Sequence, residues 1–309
     1  MITSKNNPTY KMLKSLQSKK GRQMHQCYFI EGKRFVQEAL LYAADEIVYI
    51  VVPDDEDAHV LESMLTKSML PEQVLSEQVL PKSMLPEQRL SKPMLPEQIL
   101  PELMGHMHGD SSKAFEKILT LSKHLFYEIC DTENPQPIGA VMRMRSQNKQ
   151  EMLVSDVLKS KKRFVILDGL QDPGNVGTVI RTTDAAGFDA VVLSEHCVDV
   201  YNAKVLRATM GAMFRLSVVK TDCIAMMIDR LKQNGVRIYA GVLDGAVSLF
   251  DVAFHKKTAI VLGNEGNGIS TELLDMADVH VKIPMQEHAE SLNVSVAASL
   301  LIYEVFRKI

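Results

Sequence analysis

Residues 164–194 read FVILDGLQDPGNVGTVIRTTDAAGFDAVVLS. An apolar run, FVILDGL (164–170), leads through a glycine-bearing turn into VGTVIRTTDAAG, which has helical spacing and ends at Gly187. A second apolar run, AVVLS (190–194), follows. Further strand-like runs lie outward from this segment: RLSVV (215–219), RIYAG (237–241), TAIVLG (258–263) and VHVKIP (279–284). Helical patterns fall between most of them. One is TDCIAMMIDRLKQNG, with Thr221 as the expected N-cap and Gly235 just past the end. Near-continuous apolar strands alternating with helices predict a parallel sheet covered on both faces. Ligands of such sheets bind at the carboxyl ends of the strands, so the chemistry is expected in the loops that follow them.

Three loops answer that description. In the first (167–187), Gly174 and Gly177 let the backbone turn tightly and approach a ligand. Asn175 is expected near the N-cap of the helix, with Arg181 about a turn and a half further in. A helix start followed by an arginine suits a phosphate or ribose; an ordinary turn with an exposed arginine reads equally well from this loop alone. The second, IVLGNEGNGIS (260–270), holds Gly263, Gly266 and Gly268 in six residues. Its spacing is not GxGxxG and it comes late in the domain, which argues against a dinucleotide site. A buried Glu265 there needs a partner. The third, VKIPMQEHAESLNVSVAASLLIYEVFRKI (281–309), runs strand, turn, SLN and helix. Eleven of the fifteen residues 292–306 are apolar, so the helix must be covered on most faces, and a second subunit is the expected cover. His288, a lone loop histidine, is read as an ordinary surface residue.

The whole chain has 309 residues, 46% hydrophobic and 24% charged, with net charge −3. The length suggests about two domains, and the near-neutral balance excludes a globally basic nucleic-acid coat. Charge is nevertheless uneven. Residues 1–34 hold Lys5, Lys11, Lys14, Lys19, Lys20, Arg22, Lys33 and Arg34 against Glu31 alone. Such an arm reads as a phosphate-contacting surface or as a solvated helix face. Cys27, Cys130, Cys197 and Cys223 form no CxxC pair, which excludes a disulfide framework and a structural zinc site and points to a reducing compartment. No His/Cys/Asp cluster has ligand spacing, so no metal is expected. The N-terminus lacks an apolar signal region and no stretch reaches membrane-spanning length; a cytoplasmic protein is expected, with no membrane partner.

The first domain is expected over 1–145. FIEGKRFVQEALLYA (29–43) has helical spacing, EIVYIVV (46–52) reads as a buried strand, SSKAFEKILTLSKHLFYEIC (111–130) as helical, and NPQPIGAVMRM (134–144) as a turn and strand. Residues 64–103 interrupt it with eight pentapeptides of the type MLPEQ, whose recurrent prolines exclude a helix; a low-complexity insertion without catalytic role is the reading. A linker is expected over 146–162 and the parallel-sheet domain over 163–309.

Asn175-VGTVI-Arg181, LGNEGNGIS and IPM…ESLNVSVAASLLIYE resemble, in order, the three signature motifs of the SpoU (TrmH) family of RNA methyltransferases, of the SPOUT class. SKNNPTYKMLKSL with FIEGKRFVQEAL resembles that family's RNA-binding domain. The resemblance implies an α/β trefoil-knotted catalytic domain with a smaller N-terminal α+β RNA-binding domain, dimeric through the knotted half. It implies methyl transfer from S-adenosylmethionine, usually to a ribose 2′-hydroxyl of rRNA or tRNA, the added domain leaning toward rRNA. Carried over position by position, Gly263, Ile283 and Leu292 correspond to cofactor contacts, Asn175 and Arg181 to catalytic side chains, and Glu265, Ser291 and Asn293 to polar residues completing the site. In the turn after IPM the family commonly has a glycine; here the residues are Gln286, Glu287 and His288.

Methyl transfer from a sulfonium is an in-line displacement, whose demands are alignment and removal of the hydroxyl proton. A guanidinium deprotonates with difficulty, so Arg181 reads either as the base or as an electrostatic stabiliser bound to the flanking phosphate. A dimeric RNA-binding protein without catalysis, and a SPOUT enzyme that methylates a base, stay open as alternatives.

Overall fold

The computed structural model describes residues 1–54, 118–145, 162–244 and 247–309. The pentapeptide array at 64–103, and the expected linker up to residue 161, lie outside the described residues. What is described forms two compact units, Met1–Met144 and Arg145–Ile309. No helix among the described residues is long and apolar enough to cross a membrane.

In the first unit, helix α1 (Pro8–Ser15) starts where the Asn7 side chain accepts from the amides of Thr9 and Tyr10, with proline in its first turn. Helix α2 (Lys19–His25) is capped by Ser18 and ends at Gln26 in the left-handed region. Strands β1 (Cys27–Glu31), β2 (Ile47–Pro53), β3 (Ile118–Leu121) and β4 (Gly139–Arg143) form a sheet in the order β1-β4-β2-β3. Strand β4 is antiparallel to both β1 and β2, and β3 is parallel to β2. Helix α3 (Lys33–Tyr42) follows β1 and α4 (Lys123–Ile129) follows β3. Tyr10, Leu13, Leu121, Phe126 and Ile129 pack with Val51 and Val141 of the sheet.

One expectation is corrected here. The run 111–130 is not one helix: its described part is strand β3, Ser122, then α4. ILTL pairs along Ile50–Pro53, and that non-local partner overrides the local helical spacing.

The second unit is a sheet of β5 (Arg163–Leu167), β6 (Ala190–Ser194), β7 (Ser217–Thr221), β8 (Arg237–Gly241), β9 (Val247–Ser248), β10 (Thr258–Leu262) and β11 (Val279–Lys282). Their order is β7-β6-β5-β10-β8-β11-β9, every pairing parallel. β6 and β10 are buried at every position, as strands covered on both faces must be. Helices α5 (Pro173–Ala185), α6 (Ala203–Thr209), α7 (Ala212–Arg215), α8 (Ile224–Gln233), α9 (Thr271–Met276) and α10 (Val294–Lys308) surround it. Ile228 and Leu231 of α8 and Leu273 of α9 pack on Phe164, Ile166, Ile238 and Val261. On α5, both α6 and α10 dock, and α10 also lies on β10.

Two local expectations change. Thr221 belongs to β7, and its hydroxyl accepts from Cys223 N at 3.2 Å, so Cys223 precedes the helix without a side-chain cap. Gly177 is buried inside α5, where a Cβ would lie 2.4 Å from Ala208 Cβ and 2.8 Å from Val205 O. Its bare backbone serves the packing of α6 on α5, not a ligand.

Candidate active site

Strands β5 and β10 are neighbours, in register from Arg163 opposite Thr258 to Leu167 opposite Leu262. From β5 the chain proceeds to β6 and β7 on one side, whereas β8 and β11 lie beyond β10 on the other. This is the point where strand order reverses, the place at which open parallel sheets commonly bind their ligands.

Side chains tie those loops together. Asn264 Nδ2 donates to Gly169 O at 2.8 Å, and Asn264 Oδ1 accepts from Gly266 N and Asn267 N at 2.9 and 3.2 Å. Asp168 Oδ2 accepts from Ser270 N at 3.0 Å. The turn is so tight that a Cβ on Gly263 would sit 2.0 Å from the carbonyl carbon of Gly268. Glycine is required there by the loop's own backbone. Helix α5 opens with Asp172 as N-cap and proline next, and Asp172 Oδ1 accepts from Asn175 N at 2.7 Å.

The third motif joins through its own cap. Asn293 Oδ1 accepts from Ser295 N at 2.9 Å, Ser295 Oγ at 2.6 Å and Val296 N at 3.4 Å. Its amide nitrogen is left to donate to Asn175 Oδ1 at 3.1 Å, and Asn175 Nδ2 donates to Glu265 Oε1 at 2.9 Å. Asn293, Asn175 and Glu265 thus form one hydrogen-bonded chain across three loops.

Glu265 is exposed, so burial does not oblige it to take a partner; it nevertheless has one in Asn175. Ser291 is exposed and takes no part in the chain. Arg181 is exposed on α5, six residues beyond Asn175, so its side chain leaves the helix about 120° round from that of Asn175. The structure does not bring it into the hydrogen-bonded chain.

Beside the chain is an apolar cleft of about 440 Å³, open mouth included, lined by Gly241, Val242, Leu243, Ile283, Met285 and Leu292 over Leu262 and Leu301. Of the three expected cofactor contacts, Ile283 and Leu292 line this cleft; Gly263 does not, though its neighbour Leu262 does. Sequence reasoning missed Gly241, where a Cβ would lie 2.9 Å from Leu301 Cδ1 and 3.3 Å from Leu262 Cδ2. The signal was its place at the carboxyl end of RIYAG.

The basic arm divides. Arg22 is buried, and its Nη1 donates to Leu16 O at 3.0 Å and Gln17 O at 3.2 Å. It fastens α2 to the end of α1 and is withdrawn from the expected RNA-binding set. Lys5 donates to the Glu128 carboxylate and Lys14 to Glu128 O, so both are engaged with α4. Lys5 and then Tyr10 hold the Glu128 carboxyl down to about 2; burial, then Glu128, pushes Tyr10 up to about 12. Lys11, Lys19, Lys20 and Arg34 are exposed, and Lys33 is half-buried.

Residues 162–303 match the SpoU rRNA Methylase family, and residues 7–100 match the MRM3-like substrate binding domain. The 23S rRNA (guanosine(2553)-2′-O)-methyltransferase RlmP of Bacillus subtilis is 37% identical over 185 residues, 60% of this chain and 71% of that protein. A TrmH family tRNA/rRNA methyltransferase of Staphylococcus epidermidis is 41% identical over 153 residues, 48% of this chain and 61% of that one. The crystal structure of an AdoMet-bound rRNA methyltransferase from Sinorhizobium meliloti superposes with TM-score 0.71 at 24% identity, over 99% of this chain and 97% of that one, a likeness of fold. The fold and the kinship are thus those of an RNA methyltransferase. Within that class, the chain belongs to the SpoU rRNA methylase family.

The cleft suits the S-adenosylmethionine such enzymes use. Val242, Leu243, Ile283, Met285 and Leu292 offer apolar walls to an adenine ring, and Gly241 leaves main chain bare between them. A Cβ there would meet two leucine side chains that frame the space.

Proposed function

We propose that this protein transfers a methyl group from S-adenosylmethionine to a ribose 2′-hydroxyl of ribosomal RNA. The single observation that supports the reading is the Asn293–Asn175–Glu265 chain, with Leu292 next to it in sequence on the wall of an apolar cleft at the ends of β8, β10 and β11. Ile283, Leu292 and the main chain around Gly263 would hold the cofactor, which supplies an electrophilic methyl carbon on a sulfonium. The protein's part is to align the ribose, exclude water and take up the hydroxyl proton. Asn175, Glu265, Ser291 and Asn293 orient the ribose. Arg181, exposed and about 120° from Asn175 round the helix, binds the flanking phosphate and steadies charge developing on the oxygen. A 2′-hydroxyl exists only in RNA, and rRNA is favoured over tRNA by the B. subtilis relative named above.

Residues 1–145 are the RNA-binding domain in this reading and 163–309 the catalytic domain, with Lys11, Lys19, Lys20, Lys33 and Arg34 contacting phosphates. The protein works as a homodimer through its catalytic half. Supporting this, Val296, Leu300 and Tyr303 are 48%, 43% and 48% exposed along one stripe of α10. The test is to map methyl groups in rRNA and tRNA of a deletion strain. One rRNA nucleotide should lose its 2′-O-methyl group and regain it on complementation. Loss of a base methyl group instead, or no loss, would defeat the reading.

A further inference from the structure

We infer that the amino ends of β5, β10 and β8 form a further surface for the RNA backbone, at the opposite end of the second unit's sheet from the loops of the candidate site; the inference rests on the RNA methyltransferase reading above. β10 lies between β5 and β8, and Thr258 is paired with Arg163 on one side and with Arg237 on the other. Residues in register on neighbouring parallel strands share a face, and two strand spacings set the arginine Cα atoms about 10 Å apart. The chain enters β5 through Lys162 and β10 through Lys256 and Lys257. Three adjacent strands therefore begin among five cations, and no acid stands at 162–163, 236–237 or 255–258.

These five differ from other cations of the same unit in having no carboxylate partner. Arg215 pairs with Asp184 at 2.8 Å, Lys232 with Asp278 at 2.9 Å, and Arg307 and Lys308 with Glu304 at 2.6 and 3.1 Å. Among the described residues, no side-chain ion pair engages Lys162, Arg163, Arg237, Lys256 or Lys257. Asp189 accepts instead from the backbone amides of Lys162 and Arg163, at 2.8 and 2.9 Å. The two guanidinium groups rest on rings: Arg163 lies 5.6 Å from the centroid of Phe188, and Arg237 5.9 Å from that of Tyr239. A ring beneath a guanidinium holds it in place and leaves its outward N–H groups for an anion. Like charges gathered in the folded state repel one another, and a polyanion turns that repulsion into attraction. RNA is the polyanion this reading already requires, and arginine forks fit phosphate oxygens. Five-residue strands set the surface about 17 Å from the loops after β5 and β10. RNA bound there is held by phosphates away from the target nucleotide, which adds affinity and no choice of sequence.

The test is filter binding of the full-length protein to a long RNA duplex of arbitrary sequence over a range of salt concentrations. Lys162 and Lys256 are exposed, so Lys162→Gln with Lys256→Gln removes two charges without opening the core. The slope of log affinity against log salt should become shallower by about 1.4–1.8, the share of two phosphate contacts, and affinity at low salt should fall by about tenfold or more. Unfolding temperature and S-adenosylmethionine affinity by calorimetry should stay at their wild-type values. Arg237→Gln, made separately, should remove about one contact's share of the slope. A slope unchanged in the double lysine variant overturns the proposal. Polyglutamate that displaces the duplex as well as unlabelled RNA does overturns it too, because the surface then takes an acidic protein. The ribose reading fails on a different result, rRNA left without a new 2′-O-methyl group by the wild-type protein, and the salt slopes decide the surface in either case.

Discussion

At the level of single residues, Asn293 does two jobs that can be separated. As a cap it needs only its oxygen, and as a link to Asn175 it needs its nitrogen. Asn293→Asp keeps the first and removes the second, placing a carboxylate oxygen against Asn175 Oδ1. Its unfolding temperature should stay near wild type while methyl transfer falls by at least tenfold. Asn293→Ala removes both and should also cost about 1 kcal/mol of stability. Comparing calorimetric melts with methyl-transfer rates checks the split. The sequence made these residues legible as a set through the likeness of their three loops, in order, to the motifs of one family. It did not reveal which touch. Asn175 and Glu265 are 90 apart in the chain and meet only through the pairing of β5 with β10. Arg22 misled for a related reason: a positive charge looks the same in sequence whether its guanidinium faces water or the carbonyls of Leu16 and Gln17.

Among elements, the parallel strands were legible because burial on both faces leaves an apolar run without alternation, as in AVVLS and TAIVL. Strand β3 was not, since its only cue is a partner far away in the chain. The docking of α1 against α4 shows how such distant pieces are held. Lys5, Tyr10 and His124 all reach the Glu128 carboxylate. That carboxyl titrates near 2 in the folded protein against an ordinary 4.5. A depressed value means stabilisation that is present above the ordinary carboxylate range and is lost as pH falls through about 2. Glu128→Gln should therefore flatten the stability–pH curve between about pH 4.5 and 2. Urea unfolding followed across that range would show it, with the two proteins converging at the acid end.

For the whole molecule, the proposed function divides recognition and chemistry between the two units. Lys19→Glu with Lys20→Glu should weaken RNA binding by about tenfold or more and make the salt dependence shallower, leaving cofactor affinity untouched; filter binding at two salt concentrations with calorimetry of the cofactor decides it. Leu300→Asp with Tyr303→Asp places charge on the uncovered stripe of α10 and should convert the protein to a monomer by light scattering. The stripe was anticipated from residues 292–306, although one face of that helix, with Ala298, Leu301, Ile302 and Val305, is buried within its own chain.

The hydrogen-bonded chain from residue 293 to 265 by way of 175 also has a meaning for denaturation. A catalytic centre confined to one hairpin or one surface loop can melt while the rest of its domain stands. Here the participants come from three separated parts of the polypeptide, each fixed by a different piece of the same sheet-and-helix framework. Opening at any one of those three parts breaks the hydrogen-bonded chain. In rising urea, catalytic activity and circular dichroism should fade on one coincident curve, making turnover itself a gauge of how much of the catalytic half remains folded.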